Sequence, residues 1–85
     1  MSSLVAGRPA TRPRAIDVSV ADDCLRVVLA DGRELRVPLA WFPRLSKAKP
    51  VQRSEWRLIE DGMGISWPEL DEDLSVAGLL GLPET

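Results

Sequence analysis

From Ala15 onward, apolar and polar residues alternate with a period of two. "AIDVSV" sets Ile16, Val18 and Val20 on one face of a strand, with Asp17 and Ser19 opposite. "LRVVL" offers Leu25, Val27 and Leu29, and "ELRV" offers Leu35 and Val37. The Asp31-Gly32 pair between the last two has the composition of a two-residue hairpin turn. Parity excludes that turn, because it would place Leu35 opposite Val28 and turn the two apolar sets to opposite faces. A three-residue loop, Ala30-Asp31-Gly32 with Gly32 left-handed, pairs Val27 with Leu35 and Leu25 with Val37 and restores one buried face. The bulged turn is predicted.

In "PLAWFPRLSKAKP", Pro38, Pro43 and Pro50 forbid a long helix, so a bend with one short turn around Leu39–Phe42 is expected. Trp41, Phe42 and Leu45 are expected to cap the end of the sheet. Pro50 suits the first position of a short helix through "PVQRSEW". "WRLIEDGMGISW" reads as a second hairpin. A two-residue Asp61-Gly62 turn sets Glu60 against Met63, Leu58 against Ile65 and Trp56 against Trp67, all with matching faces. "SVAGLLGLP" closes as a helix of about two turns stopped by Gly81 and Pro83. The pattern gives an α+β class: a small antiparallel sheet of two hairpins plus an extra strand, with two or three short helices. Residues 1–14, rich in Ser, Pro and Arg, read as a disordered basic arm, and 15–85 as a single domain.

Four acids, Glu69, Asp71, Glu72 and Asp73, stand between a Trp-Pro and the closing apolar run. Just before a helix, carboxylates cap free N–H groups and meet the positive end of the dipole, with Asp73 or Ser75 as the cap. A calcium loop needs a defined ligand spacing and a turn glycine, and neither is there. Catalytic carboxylate pairs face each other across a cleft, which adjacent acids on one segment do not. The chain has no His and no Tyr, so Ser-His and Cys-His chemistry is excluded. Cys24 reads as a structural thiol. Gly62 and Gly64 form G-x-G inside a hairpin, away from any phosphate-cradling turn. No catalytic residue, metal site or cofactor is expected, and the chain reads as a binding protein rather than an enzyme.

Charge sharpens the picture. The net charge is only −2 over 85 residues, but every Lys and Arg lies at or before Arg57, and the charges beyond it are all acidic. Such a split makes a negative end able to steer a basic partner. Trp67, Pro68, Leu70, Asp71, Glu72 and Asp73 are the candidate partner-binding residues, an aromatic anchor beside charge being common in binding hot spots. With one cysteine, no internal disulfide can form, which fits a reducing cytoplasm. The N-terminus lacks the apolar stretch of a secretory signal, and no segment has the run of apolar residues of a membrane span. Free strand edges allow a homodimer. The alternative function is nucleic-acid binding through the basic N-terminal half with Arg8, Arg12 and Arg14; an acidic overall balance argues against it.

Taken together, "ADGRELRVPLAWFPRL", "PVQRSEWRLI" and "GISWPELDEDLSVAGLL" resemble, in order, the bacterial family known as domain of unknown function 2442, over about Ile16 to Leu80. The resemblance implies a small α+β fold on antiparallel strands. It also implies an antitoxin-like role, because members are often encoded beside a small protein of domain of unknown function 4160. The expected partner is therefore a small, basic protein encoded nearby, neutralised by direct binding. Longer relatives carry an appended helix-turn-helix. Only a few residues follow Leu82 here, so DNA-binding autoregulation is not expected. The resemblance brings no catalytic residues.

Overall fold

The computed structural model describes residues 13–81. Most of the expected basic arm, and Pro83, lie outside the described residues. Two antiparallel three-stranded meanders make up the strands. The first joins β1 (Ala15–Val20), β2 (Cys24–Leu29) and β3 (Glu34–Pro38). The second joins β4 (Arg57–Ile59), β5 (Gly64–Trp67) and β6 (Glu72–Ser75). Between them run a 3-10 turn, Leu39–Trp41, and the short helices α1 (Pro43–Ser46) and α2 (Pro50–Arg53). Helix α3 (Val76–Leu79) follows β6. The α+β class stands, and the strands divide into two sheets rather than one.

The β2–β3 connection is the bulged turn that parity requires. Val27 pairs with Leu35 and Leu25 with Val37. The Gly32 N–H donates to the Leu29 carbonyl at 3.0 Å and the Leu29 N–H to the Arg33 carbonyl at 2.8 Å, with Gly32 at φ +96°. In the second hairpin Leu58 pairs with Ile65. Asp61 and Gly62 both take positive φ, and the Met63 N–H donates to the Glu60 carbonyl at 3.1 Å, as in a primed two-residue turn. Trp56 lies one residue before β4, just beyond the Arg57–Ser66 pair, and both tryptophan rings contribute to the common core.

Leu25, Val27 and Leu29 from the first sheet, Ile65 and Trp67 from the second, and Leu39, Leu45 and Val76 from the connections form one apolar cluster. Each such side chain, fully buried, contributes about 1.5–3 kcal/mol by leaving water. The sheets also meet at the turns. Gly62 is buried beneath Ala15, and Arg14 pairs with Asp61 at 3.4 Å.

Three further expectations need correction. Ile16 does not share the buried face of β1. The register slips between Ala15, opposite Leu29, and Asp17, opposite Val28, so Ile16 is the extra residue of a β-bulge and stays 58% exposed. Trp41 does not cap the sheet, for it is 66% exposed. In a 3-10 turn residues three apart share a side, which turns Leu39 and Phe42 to the core and leaves Trp41 outside. Finally, Glu72 and Asp73 do not cap a helix. They lie in β6, with Leu74 opposite Ile65 and Asp73 opposite Ser66. Ser75 is the cap, its hydroxyl accepting from the Gly78 N–H at 3.1 Å. Helix α3 is correspondingly shorter than expected.

Candidate functional site

The acidic segment is shaped by how β5 ends. Trp67 is its last residue and fully buried, and the indole Nε1 donates to the Arg53 carbonyl at 3.0 Å. The chain leaves the core through a 3-10 turn, Pro68–Leu70, which Pro68 suits by its fixed φ. Asp71 then adopts a left-handed conformation (φ 54°, ψ 42°), and its N–H donates to the Pro68 carbonyl at 3.2 Å. Short polar side chains tolerate this region better than most. The reversal brings Glu72 opposite Trp67 and starts β6.

Pro68, Glu69, Asp71 and Asp73 are exposed as a result, whereas Leu70 packs partly against the core and Glu72 keeps 19% of its side-chain exposure. The structure therefore brings five of the six sequence candidates to one turn and its following strand. It removes the sixth, Trp67, from any contact surface, because the ring is enclosed. An apolar residue directly before a Pro-led turn and in phase with Ile65 is a core residue by period-two reading alone.

Arg44 was not among the candidates, and no local pattern points to it, since it lies 27 residues from Asp71. Its Nη1 donates to the Asp71 carbonyl and stands 4.0 Å from both the Asp71 and the Glu72 carboxylates. Exposed pairs at that distance stabilise by only about 0–1 kcal/mol. Arg44 thus orients the turn more than it holds the fold, and it leaves Glu69 and Asp73 without an ion pair among the described residues.

Trp56, also missed, is half-buried against the core. With Glu55, Arg57, Pro68 and Glu69 it lines an open hollow of about 290 Å³ beside the turn. Its signal was present in "SEWRL", where a tryptophan flanked by charges precedes a strand. The carboxyls with displaced titration lie elsewhere, on the first sheet. The Arg33 backbone N–H holds Asp31 below its ordinary value, and the Arg26 guanidinium does the same for Glu34. Both are exposed partners in ion pairs rather than a poised acid or base. Among the described residues no three His, Cys, Asp or Glu side chains converge as a metal-holding group, and no helix is long and apolar enough to cross a membrane.

Comparison with known proteins agrees with this architecture. The sequence profile described as "Protein of unknown function (DUF2442)" matches residues 15–82. A crystal structure at 2.75 Å of a protein of unknown function from Rhodospirillum rubrum superposes with a TM-score of 0.71 at 28% identity, covering 88% of this chain and 94% of that one. A solution structure of an uncharacterized protein from Chromobacterium violaceum gives 0.68 at 27% identity, covering 80% of this chain and 64% of that one. None of the curated proteins matches.

Proposed function

Given that the chain belongs to the family described as Protein of unknown function (DUF2442), whose description names no chemistry, we propose a function from the surface itself: a protein-interaction module that binds a small basic partner. The contact surface is the turn and strand edge Pro68, Leu70, Asp71, Glu72 and Asp73, together with Glu69. In its sharper form the module is the antitoxin-like member of a toxin–antitoxin-type pair. It acts in the cytoplasm and neutralises by direct binding a neighbour of the domain of unknown function 4160 type. It is a binding protein and not an enzyme.

One observation carries the proposal. Exposed carboxylates of Glu69, Asp71 and Asp73 gather on a single conformationally fixed turn and strand, and among the described residues only Arg44, 4.0 Å from the Asp71 carboxylate, pairs with any of them. A like-charged patch of this kind accelerates encounter with an oppositely charged protein and makes the rate fall with salt.

Tagged protein should be purified from its native host and any stoichiometric companion identified by mass spectrometry. The expected companion is a small basic protein encoded next to it that arrests growth when expressed alone. Replacing Asp71 and Asp73 together by Asn should then slow association roughly tenfold at low salt and flatten its salt dependence. An unchanged association rate would refute the acidic contact. Recovery of nucleic acid in place of a protein would move the function to the basic N-terminal residues.

A further inference from the structure

The hollow beside the acidic turn has a chemistry of its own. Its lining combines one aromatic residue, Trp56, one proline, Pro68, and two carboxylates, Glu55 and Glu69. Neither glutamate has an ion-pair partner among the described residues. Its volume of about 290 Å³ sits at the bottom of the roughly 300–1,000 Å³ range of small-molecule pockets, a size for one side chain rather than a whole cofactor. An aromatic residue flanked by carboxylates suits a flat cation, since the ring attracts it electrostatically and the acids accept its N–H groups. A guanidinium satisfies both demands at once, because it stacks as a plane and donates as a fork.

We propose that this hollow is the seat for an arginine side chain of the partner protein. The proposal rests on the reading of the 68–73 surface as the partner contact, and it extends that surface, because Pro68 and Glu69 belong to both. The exposed acids steer the partner by long-range charge, and the hollow holds it by contact. Arg57 also lines the hollow, without a carboxylate within 4.0 Å among the described residues, and serves as a resident cation that an incoming guanidinium must displace or sit beside.

The test uses the full chain and N-acetylarginine amide as probe, with N-acetylcitrulline amide as its uncharged counterpart. The Trp56 indole N–H resonance, assigned with Trp56→Phe, reports on the hollow. Arginine amide should shift it saturably in the millimolar range, and citrulline amide should not. The Glu55→Gln, Glu69→Gln double variant, altered only at exposed positions, should weaken the response roughly three- to tenfold. Arg57→Gln should strengthen it, and Asp71→Asn with Asp73→Asn should leave it within about twofold. A shift that never saturates, an equal response to citrulline, or indifference to the two glutamates overturns the seat. A captured partner together with an unresponsive hollow overturns the seat alone. A responsive hollow in a chain that captures no protein overturns the partner contact and with it the occupant.

Discussion

Trp67 of β5 donates its indole N–H to the carbonyl of Arg53, the last residue of α2, at 3.0 Å. The same Arg53 sends its Nε to the Leu45 carbonyl and its Nη2 to the Ser46 carbonyl, at 3.0 and 2.8 Å. One buried ring and one guanidinium thus fasten both connecting helices to the second sheet. Trp67→Phe keeps most of the apolar volume but leaves the Arg53 carbonyl without its donor, a loss of about 1–3 kcal/mol. Trp67→Ala adds a cavity and should cost about 3–5 kcal/mol. Urea unfolding should rank parent, Phe and Ala in that order; a Phe variant as stable as the parent would show that the bond contributes nothing.

Two glycines in left-handed turns should respond very differently to alanine. Gly32 stands at φ +96° with open space where a Cβ would lie. Gly62 stands at φ +90°, and a Cβ there would meet the Ala15 carbonyl oxygen at 2.8 Å. Gly32→Ala carries only the left-handed penalty of roughly 1–2 kcal/mol. Gly62→Ala adds a backbone clash where the two sheets join, so its midpoint of thermal unfolding should fall distinctly further. Equal losses would mean that the β1 start moves aside freely.

Acid should withdraw a contribution that two carboxylates make to the first sheet. The Arg33 backbone N–H holds Asp31 below its ordinary value of 3.8, and the Arg26 side chain holds Glu34 below 4.5. A carboxyl whose folded value is depressed stabilises the fold at pH above its unfolded value, and that contribution is lost as pH falls through the folded one. Carboxyl carbon resonances should therefore titrate below 3.8 for Asp31 and below 4.5 for Glu34. Arg26→Gln should return Glu34 upward and leave Asp31 unmoved. A Glu34 midpoint indifferent to that change would rule out the Arg26 contact, drawn at 3.0 and 2.6 Å, in solution.

Ser75→Ala should destabilise by about 1 kcal/mol, because the Gly78 N–H loses its acceptor at the start of α3. Asp73→Ala should not, since Asp73 faces outward in β6. Chemical denaturation of the two variants separates a helix cap from a strand position directly.

The contrast between those two residues also explains what the sequence could and could not disclose. Parity between Val27 and Leu35 identified the bulged turn, because a slip by one residue would invert a whole face. Parity failed at Ile16, since a bulge adds a residue without any local mark in the composition. Strand β6 was hidden for another reason. "EDLS" carries one apolar residue, so it has no alternation to detect, and four acids before a helix have an equally good local explanation as caps. Pairing with β5 overrides that local preference. At the candidate site, the sequence located the exposed acids but took Trp67 for their aromatic partner, whereas Trp56 lines the neighbouring hollow. Trp56 precedes β4 and Trp67 ends β5, and only the tertiary arrangement decides which ring reaches the surface.

The bulge in β1 makes one residue of that strand dispensable to its length. Ala15 and Asp17 already oppose the consecutive residues Leu29 and Val28, so a chain without Ile16 would run as a regular ladder with Ala15, Val18 and Val20 still facing inward. Deleting Ser19 instead would turn Val20 outward and shift the reversal at Ala21. Natural variation in the length of this strand should therefore collect at Ile16, where an insertion has in effect been accommodated already.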